Sequence, residues 1–197
     1  MKRIVALAVL GISILAFNSC ILDPKEAPPD DKGPGTSPYK PLDEERDNVL
    51  FNLQKAYNER NIDRYDELLD TDFNFYFSTD EAGQGLVPVQ WGRAAEIGAT
   101  TNMFDPNYTA PGTDPVSRIS LSLTYPEGDH NWTQVTPDDQ QKYPGETWYQ
   151  KTVEYFLTVE AGQNTYIGRD YKASYVVRFV PVETDTLWRI ITWRDNI

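Results

Sequence analysis

Chemistry in this chain would have to come from a sparse set of side chains. One histidine, His130, and one cysteine, Cys20, occur in 197 residues. That excludes an internal disulfide, a multi-histidine metal site and proton transfer between two histidines. His130 falls in a polar loop and reads as a solvated histidine. Charged residues are more plentiful on stretches that alternate like strands: Arg118, Glu154, Arg169, Asp170, Arg178, Arg189 and Arg194. Alternation sets most of them opposite the apolar residues, which predicts cross-strand ion pairs at the surface. Glu96 lies in a helical stretch, where a carboxyl turned into a cavity would be an acid of raised pKa, and it is read as part of a solvated helix face. No catalytic residue, metal or cofactor is expected.

The elements around these residues begin with an address. Met1-Lys2-Arg3 precedes Ile4 to Phe17, a segment whose only polar member is Ser13, and then Asn18-Ser19-Cys20. A charged start, a short apolar segment and a small residue before the break describe a signal peptide, and the segment is short for a permanent span of roughly 20 residues. Phe17-Asn18-Ser19-Cys20 resembles the lipobox of bacterial lipoproteins, although leucine is usual at the first position and a small residue at the second. The resemblance implies cleavage after residue 19, acylation of Cys20 and attachment to a membrane. Ile21 is not the aspartate that resembles an inner-membrane retention signal, so the bacterial outer membrane is the expected location.

Residues 20–41 then read as a tether. Pro24, Pro28, Pro29, Pro34, Pro38 and Pro41 are interleaved with Gly, Asp, Glu and Lys, a composition that cannot offset its ordering entropy by burial. From Leu42 to Ile197 one domain remains, and 40% hydrophobic and 13% aromatic content supply its core. A balance of 18 basic against 30 acidic residues, −12 overall, opposes nucleic acid as a partner.

Periodicity predicts the domain's elements. Val49, Leu50, Leu53, Ala56 and Tyr57 have helical spacing within 43–60, and Asn61 can cap a second helix carrying Ile62, Tyr65, Leu68 and Leu69. Phe73, Phe75 and Phe77 alternate as a strand, and a further helix is read over 91–104. Strands follow at Ile119 to Tyr125, 148–159, 165–180 and 187–194, interrupted by a polar excursion over 126–145 whose Trp132 is either a packing pin or part of a lid. The 165–180 strand is read with Ile167, Tyr171, Ala173, Tyr175, Val177 and Phe179 on one face. Trp188 and Trp193, five apart, are expected on opposite faces, with Trp188 inward and Trp193 marking an association surface. Helices first and long antiparallel strands afterwards make an α+β fold, a curved antiparallel sheet wrapped around N-terminal helices.

The run from Leu53 to Tyr65, with Leu68-Leu69-Asp70 and Asp72-Phe73 after it, resembles the opening of the nuclear transport factor 2-like (SnoaL-like, cystatin-like) superfamily. So does the final Leu187-Trp188-Arg189-Ile190-Ile191-Thr192-Trp193. The resemblance implies a cone-shaped domain and leaves function open, since the superfamily includes isomerases, dehydratases, cyclases, epoxide hydrolases and binding or assembly modules. Aligned on these landmarks, Leu53 and Phe77 stand where its ketosteroid isomerases place a tyrosine donor and an aspartate base, and neither can move a proton. The dehydratases' paired histidines are missing, and the epoxide hydrolases' Asp, Arg, Asp set would have to come from the strand charges named above.

The expectation is therefore a noncatalytic module for a small apolar ligand or for assembly, either as a homodimer or with an envelope partner. An acid/base enzyme acting in the cone is the alternative. A ligand-binding face would be lined by Tyr57, Phe75, Trp91, Phe104, Tyr155 and Tyr175.

Overall fold

The computed structural model describes residues 38–78, 82–85, 87–182 and 185–195. Cys20, the apolar leader and most of the tether lie outside them. Among the described residues, no helix is long and apolar enough to cross a membrane.

Helix α1 (Asp47–Glu59) buries Val49, Leu50, Leu53, Ala56 and Tyr57 along one stripe. It begins four residues later than the acidic cluster suggested, so Asp47 and not Asp43 occupies its first turn. Arg60 ends it in the left-handed conformation (φ 52°), where its N–H reaches back to Tyr57. Asn61 caps α2 (Ile62–Leu68) by accepting from the Arg64 N–H at 3.1 Å, as its side chain and position predict.

Strand β1 (Leu69–Tyr76) follows directly, and its Phe73 and Phe75 turn inward with Phe77 just beyond. Trp91 belongs to a short strand β2 (Gln90–Gly92), so the third helix, α3 (Arg93–Phe104), starts two residues later than read. The remaining strands are β3 (Val116–Thr124), β4 (Thr133–Val135) inside the polar excursion, β5 (Trp148–Ala161), β6 (Asn164–Val182) and β7 (Asp185–Arg194).

Among the described residues these strands form one sheet, in the order β2-β1-β7-β6-β5-β3, with β4 extending β5. The fold is α+β, as expected, but the sheet is mixed. β1 and β7 run parallel, which corrects the all-antiparallel expectation: β1 is reached through helices and pairs with the far end of the chain. Helices α1, α2 and α3 lie on the concave face, over a core that runs from Val49 and Leu53 through Phe73 and Tyr65 to Val177 and Ile190.

Residues 39–41, read as the end of the tether, are part of the fold. Asn52 exchanges two hydrogen bonds with the Lys40 backbone at 2.9 Å each, and Asn48 donates to the Pro41 carbonyl at 2.7 Å.

Two bulges change which residues face inward. Between β6 and β7, Val176 pairs with Thr192 while Val177 pairs with Ile190, so Ile191 is an extra residue. The alternation shifts by one there, and Trp193 lands on the same concave face as Ile190 and Trp188. Trp193 is 6% exposed, whereas Trp188 is only half-buried near the rim, against Tyr149 and Phe179. The two tryptophans therefore do not divide between the faces as expected: both turn inward, and Trp193, not Trp188, is the more deeply buried. Between β5 and β6, Val153 pairs with Ala173 but Tyr155 with Asp170. That bulge turns Tyr171 and Ile167 outward, against the one-face reading, and turns Asp170 in.

On the convex face the excursion folds back as a strap. Tyr143 and Trp148 pack on Val176 and Ile191, making a second small apolar cluster. Arg178 grips buried Asp70 at 2.8 and 3.3 Å and Glu146 at 3.0 Å, while Lys142 and the Tyr143 hydroxyl both reach Asp72.

The free side of β3 is covered by α1. Asn58 donates to the Leu121 carbonyl (3.1 Å) and accepts from its N–H (2.7 Å), Gln54 accepts from the Leu123 N–H (2.9 Å), and Arg60 donates to the Val116 carbonyl (3.0 Å). A sheet edge that could pair with another chain is thus occupied by side chains of the same chain.

Candidate functional site

Across the concave face runs one transverse row. Lys151 on β5 stands opposite Tyr175, Tyr175 opposite Trp193, Trp193 opposite Phe75, and Phe75 opposite Trp91. Ring centroids along it are 4.8, 5.2 and 5.9 Å apart. Such spacing is that of packed aromatic pairs. Each end of the row is tied to a buried carboxylate.

At one end is Glu96. It shares a helical face with Thr100, Met103 and Phe104 at the i, i+4, i+7 and i+8 spacing, and that face points into the cone. Glu96 is 4% exposed, which overturns the solvated-face reading. Its carboxylate accepts from the Tyr65 hydroxyl, from Thr100 Oγ1 at 3.2 Å and from Trp91 Nε1 at 2.9 Å. Burial pushes its pKa up, and these three donors oppose the rise without cancelling it. Burial also raises the neighbouring phenols of Tyr57 and Tyr65 above the usual range, with the Glu96 charge adding to the effect.

The other end holds an ion pair. Lys151 Nζ lies 2.6 Å from Asp47 Oδ1, with only 1% of the lysine side chain exposed. The same carboxylate accepts from Trp132 Nε1 at 2.8 Å and from the Gly128 N–H at 2.7 Å. Burial would raise the Asp47 pKa, but the bonds from Lys151, Trp132 and Gly128 outweigh it and hold the carboxyl below its ordinary value. The ammonium also faces the rings of Tyr125 (4.7 Å) and Trp132 (5.4 Å). Trp132 is therefore a packing pin that fastens the excursion to α1.

Sequence reasoning missed this pair. A signal existed: Lys151 falls in the apolar phase of β5, between Tyr149 and Val153. Beside the ion pair opens a cavity of about 310 Å³, lined by Pro126, Asn131, Thr133, Val135, Gln150, Lys151 and Thr152.

Of the residues read as a binding face, Tyr57, Phe75, Phe104, Tyr155 and Tyr175 are buried and Trp91 is half-buried. They form two touching groups. Tyr57 and Phe104 meet edge to face with Tyr65, while Phe75, Tyr155 and Tyr175 surround Trp193. None of the six lines the cavity beside Lys151. Leu53 and Phe77 sit in the apolar core. His130 is exposed in a one-turn 3-10 segment.

Of the strand charges, Arg169 with Glu154 (2.7 Å), Arg118 with Glu160 (3.9 Å) and Arg194 with Asp138 (3.0 Å) form exposed pairs, whereas Asp170 is buried and Arg178 holds the buried Asp70, against the surface reading. Among the described residues, no group of three or more His, Cys, Asp or Glu is placed to hold a metal ion.

No family model and no curated protein matches the chain. Solved structures do. A protein assigned as an aromatic ring hydroxylase from Novosphingobium aromaticivorans is 12% identical, with a TM-score of 0.46 over 77% of this chain and 85% of that one. A protein of the same organism assigned as a scytalone dehydratase is 10% identical, with a TM-score of 0.44 over 75% and 78%. An uncharacterised protein with a cystatin-like fold from Caulobacter vibrioides is 15% identical, with a TM-score of 0.43 over 77% and 85%. Likeness at this level assigns no activity to the chain.

Proposed function

We propose that the chain is a bacterial lipoprotein, acylated at Cys20 and held at the outer membrane, whose nuclear transport factor 2-like domain is a noncatalytic assembly module. The observation that carries the noncatalytic part is the row from Lys151 to Trp91. Where a substrate would lie on the concave face, rings lie against rings at 4.8 to 5.9 Å. The same packing favours assembly over capture of a small apolar ligand in the cone.

The assembly surface in this reading is the convex strip of β5 and β6. Tyr171 (62% exposed), Phe156 (39%) and Ile167 (38%) stand there around Arg169, whose guanidinium lies 4.2 Å from the Tyr171 ring. Mass spectrometry of the membrane fraction should find acyl chains on Cys20, and Cys20→Ser should release the protein. An unmodified Cys20 overturns the anchor. Sedimentation should find a homodimer that Tyr171→Ser with Phe156→Ser dissociates, and a monomeric parent overturns assembly through this strip.

A second reading, an acid/base enzyme, draws on Glu96, a buried carboxyl of raised pKa hydrogen-bonded to Tyr65. Its test is conversion of a β,γ-unsaturated ketosteroid above the buffer rate, abolished by Glu96→Gln. That result would displace the noncatalytic reading.

A further inference from the structure

The cavity beside Lys151 is a gap in the sheet. β5 changes its outer neighbour along its length: Glu154 pairs with Thr124 of β3, and Gln150 with Thr133 of β4. Between those two strands the connection through Pro126 and Asn131 leaves the outer side of Lys151 and Thr152 unpaired by a strand, and these residues border an opening of about 310 Å³. That is about the space of ten liquid waters, and it lies at the lower end of the ~300–1,000 Å³ that ligand sites span.

Its walls carry two amides (Asn131, Gln150), two hydroxyls (Thr133, Thr152), the apolar sides of Pro126 and Val135, and Lys151, whose buried side chain turns to the opposite, concave face and Asp47. No carboxylate lines it. The charge of Lys151 is balanced by Asp47 at 2.6 Å, and both Asp47 oxygens are committed, Oδ1 to Lys151 and Trp132 and Oδ2 to Gly128. The ammonium has three donors. Among the described residues, Asp47 is its one hydrogen-bond acceptor.

We propose that this gap is a binding site for a neutral, hydroxyl-rich ligand, a saccharide of about one pyranose ring. The charges decide against the other classes. A cation would find no carboxylate in the lining, an anion would find no free cationic side chain there in a chain of net charge −12, and an apolar ligand would strip water from amides and hydroxyls without pairing them. A sugar hydroxyl both donates and accepts, which matches side-chain amides and hydroxyls that do the same. Gln150 and Thr152, which share one face of β5, then select at the mouth. The site shares Lys151 with the concave row but none of its rings, and none of the exposed residues of the convex strip, so it stands whether or not the chain is acylated or dimeric.

The test is titration of the full-length chain with glucose, galactose, N-acetylglucosamine and maltose, followed by saturation-transfer NMR and calorimetry. Sodium acetate and inorganic phosphate serve as anionic probes. Saturable binding of at least one neutral sugar, insensitive to added salt, is expected. Thr152→Val and Gln150→Leu, both at solvent-accessible positions, should each weaken it about tenfold, equivalent to ~1.4 kcal/mol, with the melting temperature unchanged. Asn131→Leu in the connection gives an independent variant outside the strands. The proposal is overturned if none of the four sugars binds saturably, if acetate or phosphate binds in their place, or if sugar binding survives all three substitutions.

Discussion

Lys151 and Tyr175 face each other across β5 and β6, and only one of the two has its polar group paired. The ammonium rests on Asp47, whereas the Tyr175 hydroxyl is fully buried without a hydrogen-bond partner among the described residues. A buried donor left unpaired costs about 1–3 kcal/mol. Tyr175→Phe should therefore match or exceed the parent in urea denaturation. Lys151→Met, which leaves the Asp47 carboxylate buried without its cation, should cost about 3–5 kcal/mol. Adding Asp47→Leu should restore part of that loss, and strict additivity in the double-mutant cycle would show that the two residues act independently.

Trp193 and Trp188 should differ in the direction their burial dictates. Trp193→Ala removes the ring at the centre of the row and should cost about 3–5 kcal/mol. Trp188→Ala, at the half-buried rim beside Arg46, should cost less than half as much. Chemical melts of the two variants check this, and the reverse order would contradict the bulge at Ile191.

Glu96 should make stability fall as pH rises. Its folded pKa is raised above the ordinary value of 4.5, so the folded chain holds this proton longer than the unfolded one. The contribution is fully present below pH 4.5 and is lost as pH climbs through the folded value. Asp47, lowered from 3.8, acts oppositely, and its contribution disappears as pH drops through its folded value. Urea midpoints of parent and Glu96→Gln, taken from about pH 4 to about pH 8, should diverge only through loss of the Glu96-dependent decline. Parallel profiles would mean that Glu96 does not titrate in this window.

Asn58 should guard the edge of β3. Asn58→Ala deletes both hydrogen bonds to Leu121 and should cost about 1–2 kcal/mol. It should also raise concentration-dependent association in light scattering, because an uncovered strand edge accepts another. Asn58→Asp keeps an acceptor for the Leu121 N–H and should fall between. Unchanged scattering in the Ala variant would show that Gln54 and Arg60 suffice.

The element order was legible because each period is local. Val49 to Tyr57 repeats every three or four residues, Phe73 to Phe77 alternates, and Asn61 caps where such a residue caps. The bulges were not legible, since an extra residue at Ile191 or beside Tyr171 leaves the composition of a strand unchanged and shows only in its register with a neighbour. Trp193 was misplaced for that reason. Glu96 was misread because a charged helix residue is usually solvated, whereas its spacing from Thr100, Met103 and Phe104 puts it on their buried face. Asp47 and Lys151 escaped notice because each alone is an ordinary charged residue. Their meaning lies in a pairing across 104 positions of chain.

The parallel pairing of β1 with β7 sets the order in which the molecule can be completed. Leu69 to Tyr76 come early in the fold, yet the strand that lies beside them in the sheet is Asp185–Arg194, with β3, β5 and β6 between them in the chain. Until that strand docks, Phe75 has no Trp193 to rest on, and the middle of the sheet stays open. Closure of the sheet therefore waits on a contact of high sequence separation, which slows folding and leaves the edges of β1 and β7 open to other chains until it forms.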